Sequence, residues 1–166
     1  MLARLAAVAT AMLMMGACAP CHAAPLSGDC KPVFDAMEKT LLSNHTTTTT
    51  RGNETMRGVT VGGTAYLQIN GAWRKSPLTP QDNIAQSRAN LKDAKEYSCK
   101  ALPDGAVDGI PVANFATRTV GSEGDVIDSR IAISRSTGLA VSVENHVGSK
   151  VGYMTRYGYT DVKAPL

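Results

Sequence analysis

The sequence predicts an α+β fold: a strongly curved antiparallel sheet, a half-barrel, with two helices against its concave face. Three observations carry this. Residues 126–134, 139–147 and 151–162 read as consecutive strands whose apolar side chains fall on alternate positions, with short turn-like connectors at 135–138 and 148–150. Only two segments show helical spacing. Large apolar groups are scarce, with two Phe and one Trp, so a long twisted sheet can cover its apolar face with two modest helices only by curling around them.

The first 23 residues read as an export signal. Arg4 is the only charge before Asp29, and Leu5 to Met15 is an unbroken run of apolar and small residues, too short for a spanning helix. Cys21 and Ala23 supply small residues for cleavage after Ala23, which leaves residues 24–166 as one domain. The alternative is a lipoprotein anchored at Cys18, since Met15-Gly16-Ala17-Cys18 resembles a lipobox. Cleavage after Ala23 leaves only Cys30 and Cys99, an even pair for an oxidising compartment, whereas lipidation leaves Cys21 unmatched. A Cys30–Cys99 disulfide would contribute about 3–4 kcal/mol by restricting the unfolded chain.

Asp29 is a candidate helix cap, and Val33, Phe34, Met37, Leu41 and Leu42 form an apolar stripe after it. The β-branched run Thr46–Thr50 predicts a strand, as does 54–61. Asn70-Gly71 is the preferred pair for a two-residue hairpin turn between strands at 65–69 and 72–75, which places Trp73 opposite Gln68–Ile69. Thr79-Pro80-Gln81-Asp82 opens a second helix reaching about Glu96, with a thin apolar side (Ile84, Ala85, Leu91, Ala94) that predicts a half-exposed position. A strand at 97–102 follows, then turns at Pro103-Asp104-Gly105 and Asp108-Gly109, then a strand at 110–120.

Composition narrows the function. The net charge is +3 and the basic residues are scattered along the chain, so no nucleic-acid face is expected. No second apolar run could make a stable membrane span. There is no Gly-x-Ser-x-Gly elbow, phosphate-binding loop or His-Glu-x-x-His. His45 and His146 read as surface histidines without a metal partner set, and no cofactor is expected. Asp161, sharing a strand face with Tyr159, and Asp128 are the carboxylates that an enzyme on a small cone-shaped fold would use as a base.

Three segments resemble the periplasmic lipoprotein-carrier (LolA/LolB-like) superfamily: Val107 to Val112 entering a strand, the turn from Ser134 to Leu139, and Tyr157 to Val162 as a closing strand. The resemblance implies an unclosed barrel plugged by helices and a location in the periplasm of a Gram-negative bacterium. The few aromatics make it a resemblance of fold more than of carrier function.

The expected function is therefore non-catalytic binding of an apolar ligand, a lipid or acylated peptide, in the concavity. The expected lining is Ile131, Ile133, Val141, Val143, Tyr153 and Tyr157, faced by Phe34, Met37 and Leu41. The competing reading is an envelope factor that binds a protein partner, with the same residues forming a filled core and an exposed patch elsewhere.

Overall fold

The computed structural model describes residues 30–147 and 150–166. The expected signal peptide, the Cys18 anchor, the Asp29 cap and the connector at Gly148-Ser149 lie outside the described residues. The chain runs α1 (Lys31–Leu42), β1 (His45–Arg51), β2 (Glu54–Val61), β3 (Thr64–Ile69), β4 (Ala72–Lys75), α2 (Pro80–Asp93), β5 (Glu96–Val107), β6 (Ile110–Val120), β7 (Val126–Ser134), β8 (Ala140–Val147) and β9 (Lys150–Gly158). The strands form one antiparallel sheet in the order β4-β3-β2-β1-β9-β8-β7-β6-β5. It curves without closing, with the helices on its concave side.

Tight two-residue hairpins set the register. Asn70 and Gly71 have φ of 50° and 80°, the positive pair that a two-residue turn of this hand requires, and Ile69 pairs with Ala72. Asp108 and Gly109, at 51° and 80°, do the same between Val107 and Ile110. The turn expected at Pro103-Asp104-Gly105 is instead a bulge inside β5, where the register shifts between Leu102 and Gly105. Proline has no N–H for a ladder, and β5 is an edge strand, where that loss is tolerated.

Beyond this bulge the β5–β6 hairpin bends over the convex face. Its tip reaches β9, where Arg156 Nη1 lies 2.8 Å from Asp108 Oδ2. Beneath it Val112, Ala132 and Val141 form a small buried cluster, with Val107 packed against them.

The main core lies on the other face. Val33 and Ala36 of α1 pack on Ile131, Ile133 and Val143, with Met37, Cys99, Phe115 and Tyr157 at the margin. The buried stripe of α1 is thus Val33, Ala36 and Thr40, while Leu42, expected in the stripe, is 54% exposed. Small residues at this interface let the helix approach closely enough for Thr40 Oγ1 to accept a hydrogen bond from the Ala140 amide at 2.8 Å. The Cys30–Cys99 disulfide, with Cα atoms 5.1 Å apart, fastens the start of α1 to β5.

α2 opens with the expected capping box: the Thr79 amide donates to Asp82 Oδ2 at 2.9 Å and the Asp82 amide to Thr79 Oγ1 at 3.1 Å. It packs on α1, and Arg88 meets Glu38 through two 2.7 Å hydrogen bonds. The helix stops at Asp93, short of Glu96, because Ala94 turns extended and the Lys95 amide bonds to Val120 O at 2.8 Å, leading into the sheet.

The last strand is also shorter than expected, ending at Gly158 rather than Val162. Its pairing with β1 stops at Thr46–Gly158, and on the other side Arg156 is the last residue paired with β8. The chain then leaves the sheet, and the Tyr159 hydroxyl donates to Ala140 O.

Candidate functional site

On the concave face, the register aligns Ala113 with Ile133 and Phe115 with Ile131. α1 crosses beside them with its small residue Ala36. Because Ala36 and Ala113 are too short to meet, an open apolar groove of about 340 Å³ remains, floored by Phe115 and Ile133 and edged by Pro32 and Gly138. Charges stand only at its rim. Lys39 Nζ donates to Thr137 O at 2.6 Å, fixing the β7–β8 turn against α1, and Asp35 pairs with Lys31. The groove lies near the small end of the roughly 300–1,000 Å³ typical of ligand pockets, room for one apolar chain.

The nine residues expected to line a cavity are distributed differently. Ile131, Ile133 and Val143 are buried under α1 in a filled core, and of the nine only Ile133 also borders the groove. Met37 and Tyr157 pack at the edge of that core. Phe34 is half-buried, its ring 5.1 Å from that of Tyr97, and Leu41 is half-buried near the end of α1. Val141 joins the cluster on the convex side instead. Ala132 pairs with Ser142 but Ile133 pairs with Ala140, so Val141 is the extra residue of a bulge and the alternation reverses there. Tyr153 is on the concave face, opposite Asn145, and 40% exposed. Ala36, Ala113 and Phe115 were not expected as lining. The legible signal was Phe115, one of two phenylalanines, two residues from an alanine on the same strand face.

A second apolar area lies on the same face away from α1. Gly58 pairs with Thr47 and Leu67, and a Cβ at Gly58 would stand 2.5 Å from Thr47 Oγ1 and 3.5 Å from Leu67. This places Leu67, Ile69 and Met56 on the concave face, where they are 46%, 48% and 57% exposed.

The polar groups are arranged for structure. His45, expected at the surface, is buried, with Nδ1 2.8 Å from Ser43 O and its ring 5.7 Å from that of Tyr157. Burial lowers its pKa, against the raising effect of hydrogen bonds with the Ser43 and Thr40 backbone. Burial also pushes the Tyr157 hydroxyl up to about 12, with smaller contributions from Tyr159 and Tyr153. Asp161 is exposed beyond the strand end at φ 51°, and Asp128 is paired with Arg118 at 3.3 Å, so neither carboxylate enters the groove. Among the described residues no three His, Cys, Asp or Glu side chains converge as metal ligands.

No family model matches this sequence, and no curated protein matches it either. Solved structures share its architecture. MucB superposes with a TM-score of 0.52 at 13% identity, over 82% of this chain and 60% of MucB. MucB in complex with MucA(peri) gives 0.51 at 12% identity, over 82% and 57%. The chain has the LolA/LolB-like fold. LprF from Mycobacterium bovis scores 0.49 at 10% identity, over 85% of this chain and 98% of its own. This chain therefore spans about three fifths of MucB. In this chain α1 lies over β7 and β8, and the groove runs beside it.

Proposed function

We propose that this chain is a non-catalytic binding protein of the bacterial envelope that holds a single apolar chain, the acyl group of a lipid or of an acylated peptide, in the groove beside α1. The observation that carries this reading is the gap left between Ala36 and Ala113 over Phe115 and Ile133, apolar throughout and charged only at its rim. Its volume limits the occupant to one chain. The LolA/LolB-like fold supports the reading.

Native mass spectrometry of protein purified without detergent tests it. Wild type should carry an extractable acyl adduct or take up added palmitate, and Ala113→Phe, which fills the groove, should abolish uptake while keeping the melting temperature within a few degrees. A clean apo mass with no uptake by wild type defeats the reading, and so does equal uptake by the variant.

The second reading, a protein-binding envelope factor, is favoured by the exposed Met56, Leu67 and Ile69. MucB, with the same fold, has been captured with MucA(peri). In that case wild type takes up no palmitate, and Leu67→Asp abolishes partner capture without affecting folding.

A further inference from the structure

The convex face carries a depression that the groove reading does not use. Lys100, Ala116 and Arg130 stand in one cross-strand row on β5, β6 and β7. Neighbouring strands are about 4.8 Å apart, so Lys100 and Arg130 flank a gap of roughly 10 Å with only an alanine methyl in its floor. Arg118, two residues along β6, closes one side, and Asp128 and His146 lie beyond it. The depression has a volume of about 480 Å³ and opens to solvent.

Its cations are unevenly committed. Arg118 is held by Asp128, with Nε 3.3 Å from Oδ1. Glu144 faces Arg130 across the β7–β8 ladder but lies beside His146, 2.9 Å from Nε2. That nitrogen is closed off from water and lacks a properly aligned hydrogen-bond partner. Lys100 and Arg130 therefore have no ion pair among the described residues, and they converge on a shared gap. Two unpaired cations around a small floor match a dianion with several acceptor oxygens, and a guanidinium beside them adds a fork of donors. The volume exceeds that of a bare anion, leaving room for the group that bears it.

We propose that this depression is a binding site for a phosphoryl group, held by Lys100 and Arg130 with Arg118 at its side, and carried either by a soluble phosphate ester or by an anionic lipid headgroup. Basic residues scattered along the chain are brought together here by strand register. The site faces away from the apolar groove, so the two proposals stand or fall separately.

The test uses the full chain titrated with inorganic phosphate, with glycerol 3-phosphate, and with vesicles of phosphatidylglycerol or of phosphatidylcholine. Wild type should bind at least one phosphoryl probe with an affinity that falls as salt is raised. Lys100→Gln/Arg130→Gln should weaken that binding at least tenfold, while Ala113→Phe leaves it unchanged. Binding to the small esters without a preference for phosphatidylglycerol vesicles supports a soluble ligand. Binding to phosphatidylglycerol vesicles well above the small esters supports a headgroup. The proposal is overturned if neither class binds, if phosphatidylcholine binds equally, or if the double variant binds as wild type does.

Discussion

The two halves of the sheet solve the burial problem differently. β7 and β8 pack against α1 on the concave side and, around Ala132 and Val141, against the bent β5–β6 hairpin on the convex side, and β5 to β8 contain most of the sheet's buried apolar residues. β1 to β4 have no such cover. Their strands are rich in threonine, and their larger apolar residues, Met56, Leu67 and Ile69, stay half exposed. The first half holds its shape through backbone ladders and contacts such as Thr49 Oγ1 to Thr155 Oγ1 at 2.9 Å. The second half is held by packing. Loss of buried side chains in β5–β8 should accordingly be felt as unfolding, and loss of the exposed ones in β1–β4 mainly at the surface.

The largest expected effect comes from removing the cross-link on which the packed half depends. Cys30→Ser/Cys99→Ser frees α1 from β5 across a separation of 69 residues. It should lower unfolding free energy by about 3–4 kcal/mol in a denaturant titration. A loss below about 1 kcal/mol would mean that α1 is held by packing alone.

The next is a paired comparison. Ile131→Ala, in the core under α1, should cost about 3 kcal/mol. Leu67→Ala, exposed on the open half, should change stability by no more than about 0.5 kcal/mol. Similar costs at both positions would erase the distinction between the halves.

The smallest effect sharpens the boundary between them, where His45 is buried against Tyr157. Its folded pKa is lowered by burial, so between its ordinary value of about 6.5 and the lower folded value the unfolded chain binds more protons. Stability should therefore hold above pH 6.5 or so and decline as pH falls through that window, and His45→Phe should flatten the decline. Asp82 and Asp104, lowered by hydrogen bonds from Thr79 and Arg135 respectively, act only in the more acidic range below the ordinary carboxylate value. An unchanged pH profile in His45→Phe would remove this histidine from the boundary.

Much of the fold was legible because its signals are local. Asn70-Gly71 and the Thr79–Asp82 box each encode their geometry within four residues, and alternation located β7 and most of β8. What stayed hidden depends on partners distant in sequence. Pro103-Asp104-Gly105 has the composition of a turn and becomes a bulge only because β5 lies at an edge with β6 to pair against. Val141 keeps a regular position in the sequence, but one extra residue in the ladder turns it to the opposite face. The groove was illegible for a similar reason: two alanines, 36 and 113, define it by what they fail to fill, and only the docking of α1 brings them together. Lys100, Arg118 and Arg130 likewise become neighbours through register alone.

The strand order also leaves one long-range seam in a sheet otherwise built of local pairings. β1 through β4 form one run of hairpins and β5 through β9 another, each joined by contacts close in the chain, and within the sheet the two runs meet only where β9 pairs with β1. The Thr46–Thr50 ladder must wait for residues 154–158, more than a hundred positions later, and contacts of such separation form slowly. Until then each run presents a bare inner edge to its surroundings. The seam between the first strand and the last is thus the joint that closes the sheet, and the interval before it closes is when two open edges could pair with another copy of this protein.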